Sequence, residues 1–120
     1  MQPDSAARAL CEQVRGIISD GEIDQIEAQC ESNRAAVLAC DDGAVIVTLE
    51  SLGDGQHEMF LWLGVAFKYG AFERQGPALQ LIARDLGAET IGLCARRRGW
   101  ARRLGPEWRR DGNHFSRSVV

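Results

Sequence analysis

The feature of this sequence that most constrains its fold is the apolar segment Met59–Phe67 near the middle of the chain. Its nine residues include no polar or charged side chain, so a strand formed by them would be apolar on both faces. That pattern is typical of a central strand that is covered on both sides. The segment is much shorter than the roughly 20 residues that a membrane helix requires, so we expect no membrane span. Gly64 within the segment predicts a bulge or a close backbone approach.

Two helical patterns precede this strand. From Ala6 to Ile18, apolar residues recur at intervals of three and four, which is typical of an amphipathic helix. The Ser-x-x-Glu sequence from Ser19 to Glu22 is a capping box, and it predicts a second helix from about Asp20 to Ser32. The apolar face of this second helix would consist of Ile23, Ile26 and Cys30.

Strand and turn patterns occupy most of the remaining chain. Ala35–Cys40 and Ala44–Leu49 flank the turn sequence Asp41-Asp42-Gly43 and predict a hairpin. A loop from Lys68 to Gly76 is expected next, followed by a helix over Pro77–Leu86, because proline favours the first turn of a helix. In the C-terminal third, we predict a buried strand at Thr90–Cys94 and a basic helix at Arg97–Leu104. A terminal hairpin of Trp108–Arg110 and His114–Val119 is expected to follow.

The length of the chain favours a single domain. Two separate cores would leave only about 60 residues each, near the lower limit for independent folding. We therefore predict one α/β (α+β) domain over residues 1–120, with a mixed, mostly antiparallel sheet and helices on both faces. Met59–Phe67 should lie near the centre of this sheet, with the helix Pro77–Leu86 packed against it.

The order of these elements resembles the core of the GNAT family of N-acetyltransferases. That core has two early helices, an antiparallel run of strands, a helix under the cofactor pyrophosphate, a further strand, a helix and a closing hairpin. The resemblance covers Met59–Ser118 and includes Leu104-Gly105, which matches an aliphatic residue and glycine before the family's last hairpin. It implies a GNAT-like fold and, for an active member, acyl transfer from acetyl-CoA.

The cofactor loop of that family, Arg/Gln-x-x-Gly-x-Gly/Ala, corresponds here to Phe72–Ala78. This stretch contains one glycine, and Pro77 stands where the family needs an N–H donor. If acetyl-CoA binds, the resemblance assigns the cofactor to Arg74, Gln75 and Gly76. Glu73 would then be the candidate general base and Tyr69 the candidate acid, because both lie in the loop after the central strand.

The departures in this loop favour a shortened, non-catalytic relative of the family. Small bacteriophage-encoded GNAT-like proteins, including internal virion proteins, are similar to this chain in size and in its C-terminal half. We therefore expect a phage or prophage protein that acts as a protein-interaction or virion assembly module, with no cofactor. An acyl-CoA-dependent N-acetyltransferase is the alternative.

Charge is distributed unevenly along the sequence. Residues 96–120 hold eight arginines against two acidic residues, whereas the other 95 residues hold six basic and fifteen acidic residues. Guanidinium groups bind carboxylates and phosphates through two-point hydrogen bonds, and tryptophan is enriched at interfaces. The candidate binding residues are Arg97, Arg98, Trp100, Arg102, Arg103, Arg109 and Arg110.

These arginines are expected to meet a second copy of the chain or another protein of the virion or host. A nucleic-acid surface is a second alternative, and the net charge of −3 counts against it, because acidic helices repel a phosphate backbone. The second helix is the most acidic part of the chain and would form a solvated face or meet a basic partner. Its carboxylates are Asp20, Glu22, Asp24, Glu27 and Glu31.

The four cysteines, Cys11, Cys30, Cys40 and Cys94, stand singly among apolar neighbours. No pair of them has zinc-ligand spacing, and His57 and His114 do not complete such a set, so no metal site is expected. His57 has no serine or cysteine nearby in sequence with which to form a nucleophilic triad. We expect buried free thiols and a reducing compartment, the cytoplasm of the host, or a virion.

Overall fold

The computed structural model describes residues 10–13, 18–66, 68–95 and 103–119. Residues 10–13 are helical, and the later described residues form a helix, three strands, a second helix and three further strands. These elements are α1 (Asp20–Glu31), β1 (Ala35–Cys40), β2 (Gly43–Gly53), β3 (Gln56–Ala66), α2 (Ala71–Asp85), β4 (Thr90–Cys94), β5 (Arg109–Asp111) and β6 (His114–Ser118).

The six strands form one sheet in the order β1-β2-β3-β4-β6-β5. Strands β3 and β4 are parallel, with Glu58 opposite Thr90 and Leu61 opposite Leu93. The β1–β2, β4–β6 and β5–β6 pairs are antiparallel. The predicted α+β class with a mostly antiparallel sheet is therefore confirmed, and β3, which contains most of the apolar segment, is an interior strand. Of the predicted basic helix Arg97–Leu104, all but Arg103 and Leu104 lie outside the described residues.

The chain divides into two compact units. The first consists of the described residues up to Thr48 together with Leu63–Gln75, and the second of Leu49–Trp62 and the described residues from Gly76 onward. Fully or nearly fully buried side chains form the core of each unit. They are Cys11, Ile23, Ile26, Cys30 and Ile46 in the first unit, and Met59, Ala83, Ile91, Leu93 and Phe115 in the second.

Helix α1 has the N-terminus that the capping box predicts. The hydroxyl of Ser19 accepts a hydrogen bond of 3.1 Å from the backbone N–H of Glu22. Asp20 and Glu22 in the first turn interact favourably with the helix dipole. The buried face consists of Ile23, Ile26 and Cys30, which confirms the predicted amphipathic pattern.

Helix α2 begins six residues before the predicted start at Pro77. The last six residues of the expected loop, from Ala71 to Gly76, are therefore helical, and that part of the prediction is wrong. Gly70, with φ of 77°, turns the chain into the helix, and its carbonyl accepts the backbone N–H of Arg74 at 3.1 Å. Pro77 lies inside the helix, where it has no N–H to donate to the preceding turn. The helical hydrogen bonds on either side of the proline therefore outweigh its local penalty.

Burial along β3 also differs from the prediction. Met59, Leu61 and Leu63 are buried, whereas Phe60 and Trp62 on the other face are only partly buried. The strand is therefore covered completely on one face only. Gly64 makes no close approach, because a Cβ added there would lie 3.8 Å from the carbonyl oxygen of Ala44, an ordinary contact.

Candidate functional site

The second unit contains a buried carboxylate. Glu58 on β3 is only 5% exposed. Its Oε1 accepts a hydrogen bond of 3.0 Å from the hydroxyl of Thr90, and its Oε2 lies 2.9 Å from Nε2 of His114. We call these three residues, on the adjacent strands β3, β4 and β6, the Glu58 cluster.

Strand register brings the members of the Glu58 cluster to one face of the sheet. Glu58 is opposite Thr90 across the parallel pair, and Cys94 on β4 is opposite His114 across the antiparallel pair. Residues directly opposite each other point to the same face, and residues two apart in a strand share that face. The intervening residues Met59 and Ile91 are buried on the other face, so the sheet separates a polar face from an apolar core.

Gly92 on β4 provides the space that the carboxylate occupies. A Cβ added at this glycine would overlap the Glu58 carboxyl group and lie 2.7 Å from its Oε1. Any larger residue at this position would displace the carboxylate from its partners. Gly92 is therefore a structural requirement of the Glu58 cluster.

The imidazole of His114 is held in a defined orientation. Its side chain is 38% exposed, and its ring stacks on Phe60 with 6.4 Å between centroids and 18° between planes. When Glu58 is ionised, its carboxylate can only accept hydrogen bonds, and the tautomer of His114 that fits the contact then has its proton on Nε2. In the neutral imidazole, Nδ1 is then an unprotonated acceptor. This is the arrangement by which a carboxylate prepares a histidine to act as a base.

The first unit contains a different carboxylate arrangement in the β1–β2 turn. Asp42 accepts hydrogen bonds from Nε and Nη2 of Arg74 at 3.1 and 2.9 Å, and from Nε2 of Gln75 at 2.7 Å. We call these three residues the Asp42 clamp. The hydrogen bonds from Arg74 and then Gln75 lower the pKa of Asp42 to about 2. The hydrogen bonding to Asp42 raises the pKa of Arg74.

Arg74 and Gln75, two of the predicted cofactor residues, therefore lie together. Both donate hydrogen bonds to Asp42, a carboxylate of the same chain. Arg74 also donates from Nη1 to the carbonyl of Tyr69 at 2.7 Å. Gly76 lies within α2, so the expected glycine loop is a helical turn. Glu73 is exposed in the first turn of α2, and the Tyr69 side chain is 100% exposed. The structure thus places the predicted base and acid on the surface.

The arginine-rich segment is described from Arg103 onward, and the predicted residues Arg97, Arg98, Trp100 and Arg102 lie outside the described residues. Arg109 and Arg110 are exposed on β5, the last strand of the sheet. Arg110 lies 5.5 Å over the ring of Phe115 and donates from Nε to the carbonyl of Gly112 at 2.9 Å.

Trp108, just before β5, is stacked against a further arginine. The guanidinium of Arg117 lies 5.9 Å from the Trp108 ring and 3.7 Å from Glu107. Trp108 and Arg110 therefore contact residues of their own hairpin, and Arg110, like Arg109, is still exposed.

The prediction that all four cysteines are buried is half wrong. Cys11 and Cys30 are buried, whereas Cys40 and Cys94 are exposed. Burial is the main cause of the raised pKa of the Cys11 thiol. Cys94 ends β4 on the polar face of the sheet, which explains its exposure despite its apolar neighbours in sequence.

Sequence reasoning did not identify the Glu58 cluster. One indication was present: Glu58 immediately precedes the apolar segment and continues the alternation of Phe60 and Trp62. A glycine in the middle of the short strand Thr90–Cys94 was another. The register that joins these positions to His114 is long-range and could not be derived from local patterns.

The sequence matches no protein-family model and no curated protein. Among the described residues, no group of three metal-ligating side chains lies close enough together to hold an ion. No helix within the described ranges has both the length and the apolar character needed to cross a bilayer.

Proposed function

We propose that this chain is a non-catalytic, GNAT-like assembly module of the kind that small bacteriophages encode. In this proposal, the exposed arginines of β5 in one copy bind the acidic helix α1 of a second copy. The order of elements supports the fold component, because an acidic helix, antiparallel strands, a helix, a further strand and a closing hairpin follow one another. That order agrees with the one that the family resemblance implies, except for the helix before the closing hairpin, which falls largely outside the described residues.

The observation that carries the proposed contact is the exposure of Arg109 and Arg110 on an edge strand. Within the described sheet, β5 pairs only with β6, so its other edge presents backbone groups as well as guanidinium groups. Arginine is enriched at protein interfaces, since its planar fork binds carboxylates through two parallel hydrogen bonds.

Helix α1 has the complementary charge. Asp24 and Glu31 are exposed on it, and its last turn contains no basic residue. Opposite charges on α1 and β5 favour contacts between copies, and they suppress pairing of like-charged elements. This supports a second copy, rather than a nucleic acid, as the partner.

The Asp42 clamp supports the non-catalytic component of the proposal. The residues that the resemblance assigns to the cofactor pyrophosphate already donate to a carboxylate, at distances of 2.7 to 3.1 Å. A phosphate approaching them would meet the charge of Asp42 and compete with it for the same donors.

Light scattering at several protein concentrations tests the assembly. We expect a mass above that of the monomer at 50 mM salt, and a shift toward the monomer at 500 mM salt, because ions screen exposed charges. The double variant Arg109→Glu/Arg110→Glu should be monomeric at both salt concentrations. Arg84→Glu, which reverses an exposed charge on α2, is the matched control and should assemble like the unmodified chain.

A strictly monomeric unmodified protein would contradict the proposal. Binding of acetyl-CoA at micromolar concentration would instead favour the acetyltransferase alternative. It would appear as thermal stabilisation, since a ligand at 100 times its Kd adds about 2.7 kcal/mol. Salt-dependent binding of DNA or RNA, abolished by the same arginine variants, would favour the nucleic-acid alternative.

A further inference from the structure

Cys94 lies beside the imidazole that Glu58 orients. It is an exposed free thiol and is directly opposite His114 in the β4–β6 pair. The backbone N–H of Ala95 donates to the carbonyl of Asn113, and that of Val119 donates to the carbonyl of Glu89, both at 2.8 Å. These two bonds identify which residue pairs of the ladder are hydrogen-bonded. Cys94 and His114 lie between such positions and form a non-hydrogen-bonded pair. In such pairs the Cβ atoms are only about 4.5–5.5 Å apart.

Nδ1 of His114 is the ring atom available to the thiol. Nε2 is engaged by Glu58 at 2.9 Å, and Glu58 is itself fixed by Thr90 at 3.0 Å. Nδ1 is bonded to the ring carbon nearest the backbone, so it lies two bonds from the Cβ atom of the residue that is paired with Cys94. No hydrogen bond joins it to Cys94 in the structure. Rotation about the Cα–Cβ bond of the exposed cysteine changes the position of its sulfur, and such contacts commonly tighten only when substrate binds.

Beyond the proposed assembly role, we propose that Cys94 is a nucleophilic thiol, with His114 as its base and Glu58 as the residue that positions the base. It would be modified once per chain, without turnover, by a small electrophile whose reactive carbon carries a leaving group. The thiol proton passes to Nδ1 of His114, and the sulfur forms a bond to the carbon. The bond to the leaving group breaks, and the group departs with the electron pair. The imidazolium then returns its proton to the leaving group or to water.

The same chain contains the controls for this proposal. Cys40 is also exposed, but its partner across the β1–β2 pair is Gly43, which provides no imidazole. Cys11 and Cys30 are buried, so they react only if the first unit opens. Comparison of Cys94 with Cys40 therefore measures the effect of His114 on reactivity, and protection of Cys11 reports that the protein is folded.

The experiment is alkylation of the full chain with iodoacetamide at pH 7, with the rate at each cysteine followed by mass spectrometry. We expect Cys94 to react at least tenfold faster than Cys40, because a positioned base commonly contributes a factor of 10² or more. His114→Asn should reduce the ratio to about one while Cys11 stays protected. A ratio near one in the unmodified protein would overturn the proposal.

A second variant separates activation of the thiol from folding. Glu58→Gln retains the volume and one acceptor oxygen of the glutamate but removes its charge, so His114 loses the negative charge that stabilises its protonated form. We expect the ratio of the Cys94 rate to the Cys40 rate to fall at least threefold, because the base is weakened but still present. If His114→Asn exposes Cys11, that variant is not properly folded. The result with Glu58→Gln then tests the proposal in its place. An unchanged ratio in Glu58→Gln, with Cys11 protected, would contradict the roles that we assign to Glu58 and His114.

Discussion

The two carboxylates that organise this protein differ in what surrounds them. Asp42, whose own side chain is 15% exposed, bonds to a guanidinium whose side chain is 49% exposed, and its partners are the formally stronger donors. Glu58 bonds to a hydroxyl and an imidazole, but it is buried at the centre of a sheet face. Exposed ion pairs add little to stability because water and salt screen them, whereas a buried polar group that loses a partner retains its full desolvation cost.

The comparison indicates that burial, more than the charge of the partner, determines which carboxylate contributes more to the stability of the folded protein. The Asp42 clamp occupies donors that could otherwise bind phosphate. The Glu58 cluster fixes the orientation of His114 and the register of three strands. We expect substitutions in the Glu58 cluster to have the larger effects.

The largest effect is expected from Gly92→Ala. Its methyl group would force the Glu58 carboxylate out of its position, so the variant combines overpacking with the loss of buried hydrogen bonds. We expect a loss of about 2–3 kcal/mol in the free energy of unfolding, measured by urea denaturation.

Gly76→Ala is the matched control for Gly92→Ala. Gly76 lies within α2, and a Cβ added there meets no atom within 4 Å. We expect this variant to gain about 0.5–1 kcal/mol, because alanine is the better helix former. Equal stabilities of the two variants would show that Glu58 is not confined as the structure indicates.

A smaller loss is expected from Thr90→Val, which removes one donor to Glu58 and preserves the side-chain volume. The expected loss is about 1–2 kcal/mol in the same denaturation assay, because one buried acceptor is left unpaired. Ser116→Ala, on the same face of β6, is the control and should change stability by no more than about 0.5 kcal/mol. If Thr90→Val were as stable as this control, the buried bond would contribute nothing.

The Asp42 clamp should make stability depend on pH in the acid range. The folded pKa of Asp42, about 2, lies below its unfolded value of about 3.9. The clamp's stabilisation is therefore complete above about pH 5 and is lost as the pH falls toward 2. An NMR titration of the Asp42 carboxyl should have its midpoint near 2, and Arg74→Gln should raise that midpoint. A midpoint near 4 in the unmodified protein would contradict the clamp.

The smallest effect is that of salt on the two carboxylates. Raising NaCl from 0.05 to 0.5 M shortens the screening length to well below 10 Å and weakens exposed ion pairs. The stability difference between the unmodified protein and Asp42→Asn should therefore shrink. The stability difference between the unmodified protein and Thr90→Val should stay constant within error, because Glu58, which accepts the hydrogen bond from Thr90, is buried. A shift of equal size in both differences would remove the distinction between them.

Local patterns were sufficient to predict much of the fold. The capping box located the start of α1, the Asp41-Asp42-Gly43 turn located the first hairpin, and the apolar segment identified β3. The predicted start of α2 was wrong because Pro77 is a strong local indicator of a helix N-terminus. In the structure, Gly70 and the hydrogen bonds of the first helical turn place the start at Ala71.

The two carboxylate arrangements could not be predicted for a different reason. Each joins residues that are 32 or more positions apart, such as Asp42 with Arg74 and Glu58 with His114. Glu58 has no distinguishing local motif, because a single acidic residue at the start of a strand is usually exposed. Only the order and register of β3, β4 and β6 show that it is buried and paired.

The proposed assembly is tested most directly by exchanging charges between two chains. One chain has Arg109→Glu and Arg110→Glu, and the other has Asp24→Arg and Glu31→Arg, so that each alone places like charges at the proposed contact. Light scattering at 50 mM salt should show each chain as a monomer and their equimolar mixture as an assembly. A mixture that stays monomeric while the unmodified protein assembles would contradict the proposed contact between β5 and α1.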